Sequence, residues 1–145
     1  MASSNIELFD DFAGKIFGRL YENFPMPINL NHEEFLAPTF LEGGDVDPDH
    51  MYKLKFFYAT ARWLASAGYT ICSDKESDCS NRVVLSAKGL EVLKATPRSL
   101  TIGPSIGEQL AEATKGGGKE LMRGLVSEAL GIGARLFNPL VGLSS

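Results

Sequence analysis

"TICSDKESDCSNRVVLSAKG", residues 70–89, decides how this chain is read. Residues 69–72 and 82–85 are rich in β-formers, and the polar run 73–81 between them reads as a loop. Together they make a hairpin. Ser86 follows where a helix N-cap belongs, since its hydroxyl can accept a hydrogen bond from an N–H the first turn leaves unpaired. A helix then runs to Lys94 or Ala95 and is closed by Pro97.

Upstream, Asp47 is a plausible N-cap and Pro48 suits a first helical position. A helix over 48–67 ends at Gly68, an apt residue just past a helix end. Ser4 and Glu7 have capping-box spacing. Ile6, Phe9, Phe12, Ala13, Ile16, Phe17 and Leu20 then recur at helical spacing, with Asp10, Asp11, Lys15 and Arg19 on the other side. That helix stops before Pro25. Residues 28–30 can make a short strand, and Asn31 can cap a short helix with Glu34 three residues on. The sequence therefore predicts a mostly helical α+β chain with one small β-hairpin.

The order helix, short strand, short helix, helix, hairpin, helix resembles a winged helix-turn-helix. "VVLSAKGLEVL", residues 83–93, is similar to the wing exit of MarR- and PadR-like regulators, and "WLASAGYTI" to their helix-to-wing junction. The resemblance covers roughly residues 5–97. It implies a winged-helix domain over 1–97, followed by a Gly-rich helical extension over 98–145 that packs on the domain or in a dimer. It implies less about function, because winged helices bind DNA, bind proteins and dimerise.

A DNA-reading helix needs basic and polar side chains near its N-terminus. This one starts with Asp45, Asp47 and Asp49, acids that suit the helix macrodipole. The hairpin tip carries Asp74, Glu76 and Asp78 against Lys75 and Arg82. The net charge of −4 adds no basic excess for phosphate. Nucleic acid is thus the lesser expectation; it would use Lys53, Lys55, Arg62, Lys75 and Arg82, as a MarR- or PadR-like transcriptional regulator does.

The helix over 48–67 is apolar nearly all round. Leu54, Phe57, Tyr58, Ala61, Leu64 and Ala65 form one face; Tyr52, Phe56, Ala59, Trp63 and Ala67 form another, roughly opposite. Such a helix is covered on two sides. The second cover is packing within the chain or a homodimer, or else a partner, for which Tyr52, Phe56 and Trp63 are the candidate anchors. Beyond Pro97, Ser105 and Glu108 make another capping box, and "KGGGK" (115–119) is a break. Leu121, Leu125, Ala129, Ile132 and Leu136 form a stripe that also needs cover, from the same chain, a second copy, or another protein or membrane. Gly124, Gly131 and Gly133 each cost a helix about 1 kcal/mol against Ala. Gly124, with the stripe, is a candidate for close packing in an oligomer.

Several motifs resemble catalytic ones and fail. "GPSIG" (103–107) has the nucleophile-elbow pattern, but His32 and His50 precede Ser105 where that fold needs a following His. "KGGGK" lacks the P-loop Ser or Thr, with Glu120 in its place. "DVDPDH" (45–50) lacks the Gly and the closing Glu of a calcium loop. Two Cys and two His, with no close pair, make a poor zinc set. No catalytic constellation, metal or cofactor is expected. His32 and His50 read as surface or capping residues.

No signal-peptide pattern opens the chain, and no apolar run reaches the ~18 residues that span a membrane. The expectation is a cytoplasmic protein with Cys72 and Cys79 reduced. It acts without catalysis, through contact with another protein or with itself. An inhibitor- or immunity-type binder of one cognate protein is a further alternative.

Overall fold

A computed structural model describes residues 4–36, 48–73, 79–97, 103–116 and 119–144; for 48, 119 and 137–144 it describes the helical path only. The chain is mostly helical α+β. Its elements are α1 (Asn5–Asn23), α2 (His32–Phe35), α3 (Pro48–Ser66), β1 (Thr70–Ile71), β2 (Val84–Leu85), α4 (Ala87–Lys94), α5 (Ile106–Thr114) and α6 (Lys119–Ser144).

Local chemistry sets the ends of these elements. Ser4 caps α1 by accepting from the Glu7 N–H at 3.1 Å. Asn31 caps α2 through the Glu33 N–H, while the Glu34 carboxylate turns away and pairs with Arg19 on α1 at 3.1 Å. At the end of α3, Gly68 takes φ +91°, its N–H bonds the Ala65 carbonyl, and the Tyr69 N–H bonds the Leu64 carbonyl. This Schellman closure turns the chain directly into β1. Ser86 caps α4 by accepting from the Gly89 N–H at 3.0 Å, and its hydroxyl also donates to the Gly68 carbonyl. Ser105 and Glu108 complete a reciprocal capping box on α5.

β1 and β2 pair antiparallel, Thr70 opposite Leu85 and Ile71 opposite Val84. Ile28 adds a bridge to Val83 through two backbone bonds, at 3.0 and 2.7 Å. Cys72 and Cys79 are joined as a disulfide, where the sequence reading keeps both reduced. The hairpin brings their Cα atoms to 5.3 Å, within the roughly 4.4–6.8 Å that a bridge spans. The tip residues Asp74, Lys75, Glu76 and Asp78 lie outside the described residues, as do Asp45, Asp47 and the glycines at 117 and 118.

One hydrophobic core joins residues from before and after Pro97. Phe12, Ile16, Phe17 and Leu20 of α1 meet Phe57 and Leu64 of α3, Val92 and Leu93 of α4, Leu110 of α5 and Val126 of α6. α1 lies at the centre, against α3 on one side and α5 and α6 on another. Its Gly14 and Gly18 face those two C-terminal helices. A Cβ on Gly18 would stand 2.7 Å from Thr114 Oγ1 and 2.8 Å from the Leu110 carbonyl oxygen, so α5 approaches α1 backbone to backbone there.

α6 therefore packs within its own chain. Its buried line is Met122, Leu125, Val126, Ala129 and Gly133. The predicted stripe is turned from this by roughly 60° about the helix axis. Leu125 and Ala129 are buried and Ile132 is half-buried, but Leu121 and Leu136 stay 50% and 42% exposed. Within its own chain Gly124 makes no close approach: a Cβ there meets nothing within 4 Å. At Gly131 it meets only the Arg135 guanidinium, at 3.8 Å, whereas at Gly133 it would run into the Tyr69 ring and hydroxyl.

The two glycine classes respond oppositely to alanine. Gly18→Ala is expected to lose roughly 1–3 kcal/mol, because the new methyl presses on the α5 backbone. Gly124→Ala is expected to gain up to about 1 kcal/mol from helix propensity alone. Urea midpoints measure both, and a destabilising Gly124→Ala would reveal a close contact at that position.

Candidate functional site

The outer face of α3 carries the least satisfied apolar surface. Phe57, Ala61 and Leu64 turn into the core. Tyr52 and Trp63 remain 55% and 48% exposed, and Phe56 is half-buried between them along the helix. Of the two faces that the sequence marks as apolar, the aromatic one is the one left largely in water.

The N-terminal turns of α1 run beside this face. Ile6 and Phe9 belong to the same stripe as Phe12 and Phe17, but the stripe outruns the core: Ile6 is 59% exposed and Phe9 half-buried. Phe9 meets Trp63 edge-on at 5.4 Å between ring centroids, and Phe12 meets Phe56 at 6.2 Å. Leu130 of α6 closes one side. The result is a cavity of about 420 Å³ lined by Asn5, Ile6, Phe9, Phe56, Ala59, Thr60, Trp63 and Leu130. The Thr60 hydroxyl is already engaged, donating to the Phe56 carbonyl at 2.9 Å. The wall is therefore almost wholly apolar.

Tyr69 supports the site from behind. Its ring stacks on Trp63 at 6.4 Å and meets Phe17 at 5.7 Å, and the Lys88 ammonium lies 4.3 Å from its centroid. Its hydroxyl donates to the Leu130 carbonyl at 3.5 Å. Burial raises the Tyr69 phenol above its ordinary range, and desolvation lowers Lys88. The neutral phenol is thus the form this packing selects.

Among the candidate residues named from sequence, Phe56 and Trp63 line the cavity and Tyr52 extends it, 5.9 Å from Phe56. Ile6, Phe9 and Leu130 were not singled out as binding residues. Their periodicity marks them as apolar faces, and nothing local says that those faces converge. The cationic candidates are dispersed. Lys53 is paired with Asp49 at 3.3 Å, and Arg82 lies across the hairpin with φ +49°. Lys55 and Arg62 are exposed on α3, and neither has an ion-pair partner among the described residues. Lys75 lies outside the described residues.

Among the described residues His50 Nδ1 and Thr70 Oγ1 are buried without a hydrogen-bond partner, while other polar features have structural occupations. A cavity of about 740 Å³ lies beside α1 and α5, but its Glu22 pairs with Lys115 at 2.8 Å and its Glu108 serves the cap of α5. Ser105 of the elbow-like motif accepts from the Glu108 N–H, and its hydroxyl lies 3.3 Å from the Tyr21 hydroxyl. The histidines are not simple surface residues. His32 Nδ1 lies 2.9 Å from the Tyr58 hydroxyl, and His50 is buried at the start of α3. Packing against Tyr58 of α3 draws in His32. Among the described residues no group of His, Cys, Asp and Glu is arranged to hold a metal, and no helix is long and apolar enough to cross a membrane.

Asp10 also departs from its expected place on a solvated face. α6 covers it, leaving it 6% exposed with Arg123 at 3.7 Å. Burial raises its carboxyl above the ordinary 3.8, and the Arg123 charge only partly offsets this. Compared with known proteins, the chain matches no family model, no curated protein and no solved structure.

A carboxyl raised in the folded state binds its proton more tightly there than in the unfolded chain. Its contribution to stability is therefore full below the ordinary value and falls as pH rises through the folded one. Asp10→Asn, which mimics the neutral form, is expected to be at least as stable as the wild type at pH 7. It should also abolish the share of stability that the wild type loses as pH rises through the folded Asp10 value. A variant clearly less stable at pH 7 would make the Arg123 attraction the larger effect.

Proposed function

We propose that this chain is a non-enzymatic protein of winged-helix type that works through protein–protein contact, with the α1–α3 groove as its contact surface. The observation that carries this reading is the contiguous, half-exposed set Ile6, Phe9, Tyr52, Phe56 and Trp63. A patch of large apolar side chains left in water marks an interaction surface in a small protein, and aromatic anchors dominate such contacts. The winged-helix assignment rests on the order of α1, the Ile28 bridge, α2, α3, the hairpin and α4.

Self-association draws less support from α6 than its sequence suggests, because the middle of the predicted stripe is spent inside the chain. Leu121 and Leu136 remain available to a second copy, and so does the groove. A binder of one cognate protein would use the same groove. The DNA-binding alternative has Lys55 and Arg62 on the exposed face of α3, but the aromatic stripe of Tyr52, Phe56 and Trp63 runs beside them.

A photoreactive phenylalanine analogue at position 52, with a control at exposed position 94, tests the reading in extract from the native cell. A discrete protein adduct at 52, absent at 94 and lost on Ile6→Asp, is the expected result. An adduct of twice the 15.7 kDa chain mass identifies a second copy, and any other mass a different protein. No protein adduct at 52, with a salt-dependent shift of duplex DNA near physiological ionic strength, would overturn the proposal in favour of a regulator.

A further inference from the structure

The groove has a direction, a charge and a backbone chemistry that narrow its occupant. All eight residues lining it belong to helices: three on α1, four on α3 and one on α6. Apart from Asn5 and Ile6 in the first turn of α1, these residues lie inside helices whose N–H and C=O groups pair along the helix, so an extended peptide laid here would find no strand edge to join. A helix carries its backbone bonds with it and needs only side-chain contacts from the surface it joins. Tyr52 and Trp63 lie eleven residues apart on α3, a span of roughly 16 Å, or about three turns of a partner helix.

Charge supplies the second constraint. At 100° per residue, Tyr52, Phe56, Ala59 and Trp63 form the stripe. Lys55 and Arg62 run along its edge away from Phe56 and Thr60, the side where α1 stands. Both cations are exposed and lack an ion-pair partner among the described residues, on a chain whose net charge is −4. The groove thus has an apolar wall from α1, an aromatic floor from α3 and a cationic outer rim. A second copy docking groove to groove would set its own Asn5, Ile6 and Phe9 against that rim, and none of them is acidic.

On the basis of the protein-contact reading, we infer that the occupant is an amphipathic helix of a different protein. Its apolar residues enter between Ile6, Phe9 and Trp63, and acidic residues along its flank meet Lys55 and Arg62. Rim pairs of this kind add little affinity each. They select partner and orientation, while the aromatic anchors hold it.

Trp63 is the only tryptophan, so its emission reports on the groove directly. The full chain is titrated with two synthetic helical peptides of about three to four turns. They have identical leucines at i, i+4, i+7 and i+11, and either glutamate or lysine along the flank. The expected result is a saturable blue shift with the glutamate peptide, about tenfold tighter than with the lysine peptide and weakened by salt. The exposed double variant Lys55→Glu/Arg62→Glu should keep its helical circular dichroism and reverse the preference.

Equal binding of both peptides, or a preference that the double variant leaves unchanged, overturns the acidic-helix assignment and leaves the groove as a contact surface. If neither peptide binds while the crosslink at position 52 persists, the helical occupant is wrong and the contact reading stands. If both peptides and the crosslink fail, both fall. Concentration-dependent dimers that the double variant abolishes would make a second copy the occupant and overturn the inference.

Discussion

The structure depends most on the seating of Tyr69. Gly68 ends α3 with a left-handed turn, and the next residue enters the core at once. Its carbonyl accepts the Ser86 N–H at 3.0 Å. The same carbonyl leaves no room for a Cβ on Gly89, whose hypothetical Cβ would also stand 3.1 Å from the Tyr69 carbonyl carbon. Its ring touches α1 through Phe17, α3 through Trp63, α4 through Lys88 and α6 at Gly133. One residue thus fixes how the hairpin, the helix after it and the C-terminal helix meet. A ring buried among so many partners forfeits several kcal/mol when truncated, because no neighbour can fill the void alone.

That seating also shapes the candidate site. Trp63 leans on Tyr69 and is held half out of the core, with Phe9 across its edge. Leu130 stands over the groove because α6 docks on Tyr69 at Gly133. The aromatic surface is therefore rigidly backed, and a partner need not order it on binding. Preformed anchors reduce the entropic cost of association, and a small surface can then be used for specific recognition.

Much of the local structure was legible in the sequence because it rests on local chemistry. Ser4, Asn31, Ser86 and Ser105 cap the helices they announce, and Gly68 closes α3. The double-faced pattern of α3 identified Tyr52, Phe56 and Trp63 as a second apolar face. Less legible were Ile6, Phe9 and Leu130, apolar residues of ordinary amphipathic helices whose convergence is non-local. The glycines divide the same way. Gly14 and Gly18 sit four apart on α1, and only the approach of α5 and α6 shows what that spacing is for. Gly124 looked similar and faces open space.

The sequence by itself determined where helices and the hairpin begin and end, and which side chains share a face. Caps, prolines and periodicity act within a turn or two of chain, so they can be read without knowing the rest. Only the tertiary structure decided which face is covered. It buried Asp10 under α6, turned Leu125 and Ala129 inward while leaving Leu121 and Leu136 outside, and kept the aromatic face of α3 in water. Periodicity fixes the angle between residues on one helix. It carries no information about which other helix arrives, or from which side.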